Sequence, residues 1–316
     1  MYTRMKIVAP TKSLEMTQMQ INAGTDEVYL GLGNNKYSTY TFNGRFKVMN
    51  TFPVQVDSIE ELDNIVNACR EKNIKVNFAA NTHYIATGLE DEYVEYIYKG
   101  VNAGVDCLIV SNMGLIKLIR KHGITLPIIA GTYAFIPNME HLKMLMDMGI
   151  KRVILPHALT IDELRAFCTV EGMEIETFCF MGGGNNCGRC MLLHSDHMGM
   201  GCRGGYRVET MKGNKTNNYF LDAAVDCALC SIPALIEAGV DKLRLIGRES
   251  PNPTVNSKIV YLFRQFIDGY YEGKSVDQIK QELSASEMMW EMMWVPRFCE
   301  NIRCKYQTTR ITNSYI

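Results

Sequence analysis

The sequence predicts an α/β fold in which eight parallel strands and their crossover helices close into a TIM-like (β/α)8 barrel. Short β-branched runs alternate with amphipathic stretches over the first three quarters of the chain, a pattern typical of parallel strands joined by helices. Eight such units are present, and a chain of 316 residues is long enough for an α/β barrel in one domain. A closed barrel is therefore the simplest architecture for this chain.

Each predicted strand is a short run of apolar and β-branched residues. The runs are residues 6–9, 27–32, 75–80, 107–111, 127–131, 152–155, 175–180 and 242–246. The segments between them carry helix start signals. Residues 58–73, for example, begin at Asp57 or Ser58 as the capping residue, with Glu60 and Glu61 in the first turn. These segments are the predicted crossover helices.

A glycine recurs at the end of several predicted helices, shortly before the next strand. These glycines are Gly24, Gly104, Gly149 and Gly239. Because glycine adopts the left-handed conformation without steric cost, we expect each one to end its helix.

Polar side chains are concentrated where the predicted strands end. Active sites of α/β barrels lie at the carboxyl ends of the strands, so we predict that a substrate binds there. The candidate catalytic residues are Asn81, Asn112, Thr132, His157 and Arg248. A single histidine at a strand end often has a structural role in hydrogen bonding, and this is the alternative for His157. Arg248 could bind a carboxylate or phosphate through bidentate contacts.

Domain boundaries follow from this pattern. Residues 1–273 are predicted to form the barrel, with a cysteine-rich insertion at 181–222. Residues 274–316 are predicted to form a tail packed on the barrel. The run SEMMWEMMWV at 286–295 predicts a helix against the barrel, since Met commonly fills irregular cores. A partner-binding surface is the alternative for this run. Cys299 and Cys304, which follow it, are interpreted as free surface thiols.

Cysteines are grouped in and after the predicted insertion. Cys187 and Cys190 form a CxxC, Cys202 follows a glycine-rich turn, and Cys227 and Cys230 form a second CxxC. Grouped thiolates of this kind hold soft metal centres. On spacing alone, structural zinc is the first choice and an iron-sulfur cluster is the alternative.

The composition bears on partners and compartment. The formal net charge is −1, which argues against nucleic acid as the default partner, and no apolar run approaches the ~20 residues that cross a bilayer. Eleven cysteines occur without an apolar N-terminal signal segment, so we expect a cytoplasmic protein with reduced thiols. Cys69, Cys107 and Cys168 are interpreted as ordinary core residues.

Two common hydrolytic motifs are missing from the sequence. A zinc protease would carry HExxH and a serine hydrolase GxSxG, and neither occurs. Cys190 and His194 could pair as a nucleophile and base on a helix. A cysteine peptidase is therefore a second hypothesis.

Six motifs occur in order along about the first 270 residues. They are KIVAPTKSLEMTQMQINAGTDEVYLGL at the start, AANT at 79–82, VILPHALTIDELR at 153–165, GRCMLL at 188–193, CRGGY at 202–206 and SIPALIEAGVDKLRLIGRESP at 231–251. Together they resemble the collagenase-like peptidase family U32. Its members include anaerobic ubiquinone-hydroxylation proteins and proteins that hydroxylate transfer and ribosomal RNA.

The resemblance implies a barrel fold and, as in the better understood members, four cysteines that hold a 4Fe-4S cluster. Carried over residue by residue, Cys190, Cys202 and Cys227 match cysteines of the family. The fourth family position falls near Gly183 and Gly184, which are not ligands.

Three residues could replace the missing ligand. Cys187 is the first choice, with Cys179 and Cys230 as alternatives. A second departure from the family lies at the last strand, where Ile246 replaces an acidic residue before Gly247 and Arg248.

The leading hypothesis is an enzyme that holds a 4Fe-4S cluster and supports oxygen-independent hydroxylation, or a related redox modification, of a small aromatic or RNA-borne substrate. Its predicted ligands are Cys187, Cys190, Cys202 and either Cys227 or Cys230. A homologous partner subunit is expected, because some relatives act as pairs of similar chains. The other hypotheses are a peptidase-class hydrolase and a zinc-stabilised, non-catalytic assembly factor.

Overall fold

Eight parallel strands form a closed barrel in the computed structural model, which describes residues 4–33, 55–82, 85, 87–180, 194–195, 199–200, 205–218, 226–247, 250 and 252–306. The barrel strands are β1 (Lys6–Pro10), β2 (Glu27–Leu30), β3 (Lys75–Ala79), β4 (Cys107–Val110), β5 (Ile128–Ala130), β6 (Arg152–Ile154), β7 (Glu174–Phe180) and β12 (Lys242–Leu245). Parallel pairing of β1 with β12 closes the ring. The predicted (β/α)8 barrel is confirmed, and the strand ends differ from the predicted ones by one or two residues.

Four short strands lie in the insertion between β7 and β12. They are β8 (His194–Ser195), β9 (Gly199–Met200), β10 (Tyr206–Glu209) and β11 (Lys215–Asn218). β8 pairs with β9 and β10 with β11, both antiparallel. The β10 and β11 hairpin is mostly exposed to solvent.

Crossover helices cover the outside of the barrel. The helices are α1 (Leu14–Asn22), α2 (Ile59–Glu71), α3 (Glu90–Ala103), α4 (Met113–Lys121), α5 (Met139–Asp147), α6 (Ile161–Cys168), α7 (Ile232–Glu237), α8 (Pro253–Tyr271) and α9 (Val276–Ser286). Ser58 caps α2 by accepting a hydrogen bond from the Glu61 N–H, as its sequence predicted. No described helix is both long and apolar enough to span a membrane.

Glycines end several of these helices as predicted. Gly24, Gly104, Gly149 and Gly239 all have φ between 79° and 94°. This left-handed conformation is strained for residues with a Cβ atom. The chain therefore turns from helix to strand at these four positions.

A network of buried charges lies inside the barrel near the amino ends of the strands, and we call it the floor network. Arg152 bonds Glu27 at 2.5 Å and also pairs with Glu176. Lys242 lies 2.7 Å from Glu27, and Arg244 lies 2.6 Å from Glu176. All five side chains are at most 7% exposed. Each buried charge thus has an opposite charge beside it.

An apolar layer separates the floor network from the open end of the barrel. It consists of Val8, Tyr29, Ile109, Ile129, Ile154 and Phe178. The Arg244 guanidinium stacks over the Tyr29 ring, 3.5 Å from its centroid. The barrel interior is therefore filled, and chemistry is confined to the carboxyl ends of the strands.

The helical tail packs against α8 and the end of β7. After α9, the chain forms a π-helix at Trp290–Cys299. Trp294 stacks on Phe180 with ring centroids 5.2 Å apart, and Trp290 contacts Phe266. A helix packed on the barrel, as predicted for 286–295, is present from residue 288; α9 ends before it at Ser286, and Glu287 between them is extended. Met288, Met292 and Met293 are exposed on the outer side.

Candidate functional site

The barrel mouth is formed by side chains that follow β3, β4, β5 and β6. The Ser111 hydroxyl donates to Asn81 Oδ1 at 2.6 Å. A methyl group on Gly131 would lie 2.6 Å from Ser111 Oγ and would overlap the Asn81 amide, so these three residues are tightly packed together. Thr132 follows Gly131 and begins a short 3-10 turn. Asn81 and Thr132, both predicted site residues, are therefore brought to one place.

Asn112 has a clear structural role beside the mouth. Its Oδ1 atom accepts hydrogen bonds from the N–H groups of Gly114 at 2.8 Å and Leu115 at 3.3 Å. This arrangement is an N-cap and starts α4. The cap explains the asparagine without a catalytic function, and its assignment to the site stays a prediction.

His157 is buried at the mouth, with 9% of its surface exposed. Its ring stacks on the Phe178 ring with centroids 3.8 Å apart. Burial lowers the pKa of His157 well below its usual value, and the positive charge of Lys305 lowers this pKa further. The imidazole is therefore neutral at pH 7, so it presents one hydrogen-bond donor and one acceptor and no charge.

The last described residues of the tail reach this same place. The Lys305 ammonium donates to the carbonyl of Phe178, and the Tyr306 hydroxyl donates to that carbonyl at 3.2 Å. Sequence reasoning missed both residues, because they lie far along the chain from the barrel strands. The only signal was a lysine and a tyrosine directly after a cysteine in the FCENIRCKY run.

Cys227 lies beside the carboxyl end of β7, between that strand and the C-terminal tail. It pairs with Phe180 on one side, in an antiparallel bridge, and with Cys304 on the other, in a parallel bridge. The Cys227 N–H donates to Arg303 O at 2.9 Å, and Lys305 N–H donates to Cys227 O at 2.9 Å. The tail is thus hydrogen-bonded to the segment that carries a predicted ligand.

The tail cysteines differ from the sequence expectation. Cys299 and Cys304 are half-buried, so their interpretation as surface thiols was wrong. Burial and the nearby Cys230 raise the pKa of Cys299. The tail folds back on β7, and this brings them to the rim of the barrel.

Cys227 is 7% exposed, and its sulfur accepts a hydrogen bond from the Leu229 N–H at 3.4 Å. Burial raises the pKa of its thiol, while the Leu229 N–H and the indole N–H of Trp294 favour the thiolate. The neighbouring Cys230 sulfur faces the ammonium of Lys280. Burial by itself would lower the pKa of Lys280, but Cys230 raises it.

The remaining predicted ligands divide into two groups. Cys187, Cys190 and Cys202 lie outside the described residues, and so does Arg248. Cys179 is fully buried on β7, where its thiol donates to Arg244 O at 3.5 Å. Within the described ranges, no three His, Cys, Asp or Glu side chains form a group that could hold a metal ion. The ligand set stays a prediction, and of its members and alternatives only Cys179, Cys227 and Cys230 have a described position.

Comparisons with known proteins identify relatives across most of the chain. The model of peptidase family U32 matches residues 12–292. The chain is 24% identical over 289 residues to the 23S rRNA 5-hydroxycytidine synthase of Escherichia coli, covering 85% of this chain and 40% of that protein. It is 30% identical over 193 residues to tRNA hydroxylation protein P of E. coli, covering 59% of this chain and 39% of that protein. The chain therefore spans well under half of each of these two relatives.

Other relatives carry different names. An uncharacterized protease of Methanocaldococcus jannaschii is 26% identical over 301 residues, which covers 89% of this chain and 69% of that protein. Among solved structures, a U32 peptidase superposes with a TM-score of 0.50 at 14% identity, covering 80% of this chain and 95% of that one. At this level of identity the structural likeness supports the fold alone.

Proposed function

The chain belongs to peptidase family U32, and on that premise we propose that it is an iron-sulfur enzyme that supports hydroxylation of an RNA-borne base without dioxygen. The proposed ligands of a 4Fe-4S cluster include Cys190, Cys202 and Cys227, the three positions that match family cysteines. The names of two relatives, a hydroxycytidine synthase and a tRNA hydroxylation protein, support the reaction class. The RNA-borne substrate and the iron-sulfur cluster are the parts of this function that we propose.

The main observation behind the proposal is that the end of β7 contacts both Cys227 and the barrel mouth. Cys227 pairs with Phe180 at the end of β7, and Phe178, two residues earlier, stacks on His157. Lys305, whose backbone bonds Cys227, extends its ammonium to the Phe178 carbonyl. A metal centre at Cys227 would therefore adjoin the substrate site, as redox chemistry on a bound substrate requires.

The surroundings of Cys227 support an iron-sulfur centre. Thiolates are the usual ligands of iron-sulfur clusters, and N–H groups directed at the sulfurs tune their potential. Cys227 receives an N–H from Leu229 at 3.4 Å, and the Trp294 indole N–H lies near enough to favour its thiolate. When bound, the cluster would supply electron transfer, or an open iron that binds and activates an oxygen atom of a substrate.

The residues of the mouth suit a neutral heteroaromatic base. Asn81, Ser111 and Thr132 present amide and hydroxyl groups, which bond the edges of unpaired bases. His157 is neutral and can donate or accept a proton in a hydrogen bond. Lys305 is the nearby cation and would contact a phosphate or stabilise developing negative charge.

The experiment is a comparison of modified nucleosides in RNA from cells that do and do not produce the protein, grown without oxygen. Mass spectrometry is expected to show a hydroxylated pyrimidine that disappears without the gene. The wild type and Cys168→Ala should restore it, and Cys227→Ala should not. Cys168 is a matched control, because it is a half-buried thiol on the outer helix α6. An unchanged set of nucleosides in the deletion strain would contradict the proposed substrate.

A further inference from the structure

We propose that the hairpin of β10 and β11, residues 205–218, binds the phosphate backbone of RNA next to the base that enters the barrel mouth. The inference rests on the proposed function, since it names the part of the chain that holds the proposed RNA substrate. The hairpin would supply affinity for RNA, whereas the mouth would supply the site of reaction.

The first support is the charge of the hairpin. Its fourteen residues carry three cations, Arg207, Lys212 and Lys215, and one anion, Glu209. All four of these residues are exposed, and the whole chain has a formal net charge of −1. Arginine and lysine neutralise phosphates, and this contribution supplies most of the sequence-independent affinity for nucleic acid. The hairpin is therefore a locally basic surface on a nearly neutral chain.

The strand register brings two of the cations to one face of the hairpin. Arg207 pairs with Asn217, and Glu209 pairs with Lys215. Side chains alternate between the two faces of a strand, so Arg207 and Lys215 are diagonal neighbours about 7–8 Å apart. The ion pair of Lys215 with Glu209 is 3.6 Å long, with side chains 51% and 56% exposed. An exposed pair of this kind contributes little stability, so a phosphate can compete with Glu209 for Lys215.

The turn of the hairpin places an apolar side chain beside the third cation. Gly213 has a φ of 79°, its N–H donates to Thr210 O at 2.8 Å, and the Thr210 N–H donates to Asn214 O at 2.9 Å. This closed turn leaves Met211 fully exposed next to Lys212. Methionine is among the apolar side chains that proteins insert between bases. An enzyme that acts on a base must first take it out of the stack, and Met211 is suited to fill the space that the base leaves.

The hairpin lies within reach of the barrel mouth. The insertion leaves the barrel at the end of β7, and Cys227 pairs with Phe180 at that same end. Asn218 and Asp226 are eight positions apart in the sequence. An extended chain spans at most about 3.5 Å per residue, so Asn218 lies no more than about 28 Å from Asp226. One RNA molecule can therefore contact the hairpin and place a base in the mouth.

Packing does not explain the exposed side chains of the hairpin. The apolar residues Val208 and Met211 are exposed, and the hairpin adds no described residue to the core of the barrel. A two-stranded hairpin without such packing is only marginally stable in water. A ligand that binds its charged face and its tip accounts for both features.

The test measures binding of fluorescently labelled bulk transfer RNA to the full chain by anisotropy, over a range of salt concentrations. The hairpin variant combines Arg207→Gln, Lys212→Gln and Lys215→Gln, and circular dichroism checks its folding. Its affinity is expected to be at least tenfold weaker than that of the wild type. The slope of log Kd against log salt should fall by about 2, because each lost phosphate contact lowers it by about 0.7.

A matched control removes the same charge elsewhere. It combines Lys117→Gln, Lys121→Gln and Lys143→Gln, three exposed residues of the outer helices α4 and α5. The control is expected to bind RNA as the wild type does. Equal losses in the hairpin variant and the control would reveal attraction by total charge alone and overturn the inference.

Two further outcomes separate the inference from the proposed function. If the wild type binds RNA and the hairpin variant binds it equally well, the inference is wrong and the RNA substrate stands. If the wild type binds no RNA, the RNA substrate of the proposed function is refuted as well. Vesicles of phosphatidylglycerol and phosphatidylcholine are the second probe. Binding to these vesicles through the hairpin, without binding to RNA, would assign the face to a lipid surface and overturn the inference.

Met211 has its own test. Met211→Ser should lower the yield of the hydroxylated nucleoside several-fold in complemented cells, because the base would leave its stack less readily. The salt slope of RNA binding should stay unchanged, since no charge is removed. Met288→Ser is the matched control, because Met288 is an exposed methionine of the C-terminal tail. Equal nucleoside yields in the two variants would contradict the contact of Met211 with the bases.

Discussion

The rings of His157 and Phe178 stack with centroids 3.8 Å apart and an angle of 20° between their planes. Phe178 belongs to β7, and its carbonyl accepts hydrogen bonds from Lys305 and Tyr306 of the tail. The ring of Phe178 therefore positions His157, and its backbone carbonyl positions the C-terminal tail. The tail is part of the candidate site, although it is the segment most distant from it in the sequence.

Removal of the Lys305 charge should raise the pKa of His157. Burial, the larger cause, would still hold that pKa below its usual value, but the electrostatic contribution of Lys305 would be lost. Lys305→Met is the variant, and NMR titration of the histidine ring protons is the measurement. Lys280→Met is the matched control, because Lys280 faces Cys230 instead. An equal pKa in Lys305→Met and the wild type would contradict the electrostatic effect of Lys305 on His157.

Breaking the floor network should destabilise the barrel. Glu27→Gln would leave Arg152 and Lys242 buried with one partner fewer. Loss of one member of a buried ion pair typically costs about 3–5 kcal/mol, and urea denaturation measures it. Glu140→Gln removes the exposed pair with Lys143 and should cost less than about 1 kcal/mol. Similar losses in the two variants would argue against the network.

The same residue predicts a loss of stability in acid. Burial by itself would raise the pKa of Glu27, but Arg152 and Lys242 lower it from 4.5 to about 2. Because the pKa is lower in the folded state, this stabilisation is complete above pH 4.5 and is lost as pH falls toward 2. It amounts to about 3 kcal/mol. Free energies of unfolding between pH 6 and pH 2.5 should fall less steeply for Glu27→Gln than for the wild type.

Gly131→Ala should disrupt the barrel mouth with little effect on the rest of the fold. The new methyl group would displace Asn81 and lie 2.6 Å from Ser111 Oγ, so nucleoside hydroxylation should fall at least tenfold. In an Asn81→Ala background the same substitution should cost less, because the overlap with the Asn81 amide is gone and only the contact with Ser111 Oγ remains. Equal effects of Gly131→Ala in both backgrounds would show that the two residues are independent.

The barrel could be predicted from the sequence because its signals are local. Short β-branched runs that follow helix-ending glycines place the strands within two residues. Ser58 caps the start of its helix, and Gly104 ends its helix with a left-handed φ. The mouth residues Asn81 and Thr132 followed from the same pattern, because a barrel brings its strand ends together.

The floor network and the tail contacts could not be predicted in the same way. Glu27, Arg152 and Lys242 stand at the starts of strands, where charged residues usually face solvent, and only the closed barrel places them opposite one another. The pairing of Cys227 with Cys304 joins segments with one strand, three α-helices and the π-helix between them. Long-range pairing of this kind leaves no periodic pattern in a single sequence.

The most direct test of the central claim is the iron and sulfide content of the full chain, purified without oxygen. We expect a brown protein with broad visible absorption and about four irons and four sulfides per chain. We also expect Cys227→Ala to abolish the bound iron and sulfide. A colourless protein that holds one zinc ion, or no metal, would contradict the proposed iron-sulfur function. The barrel fold does not depend on this result.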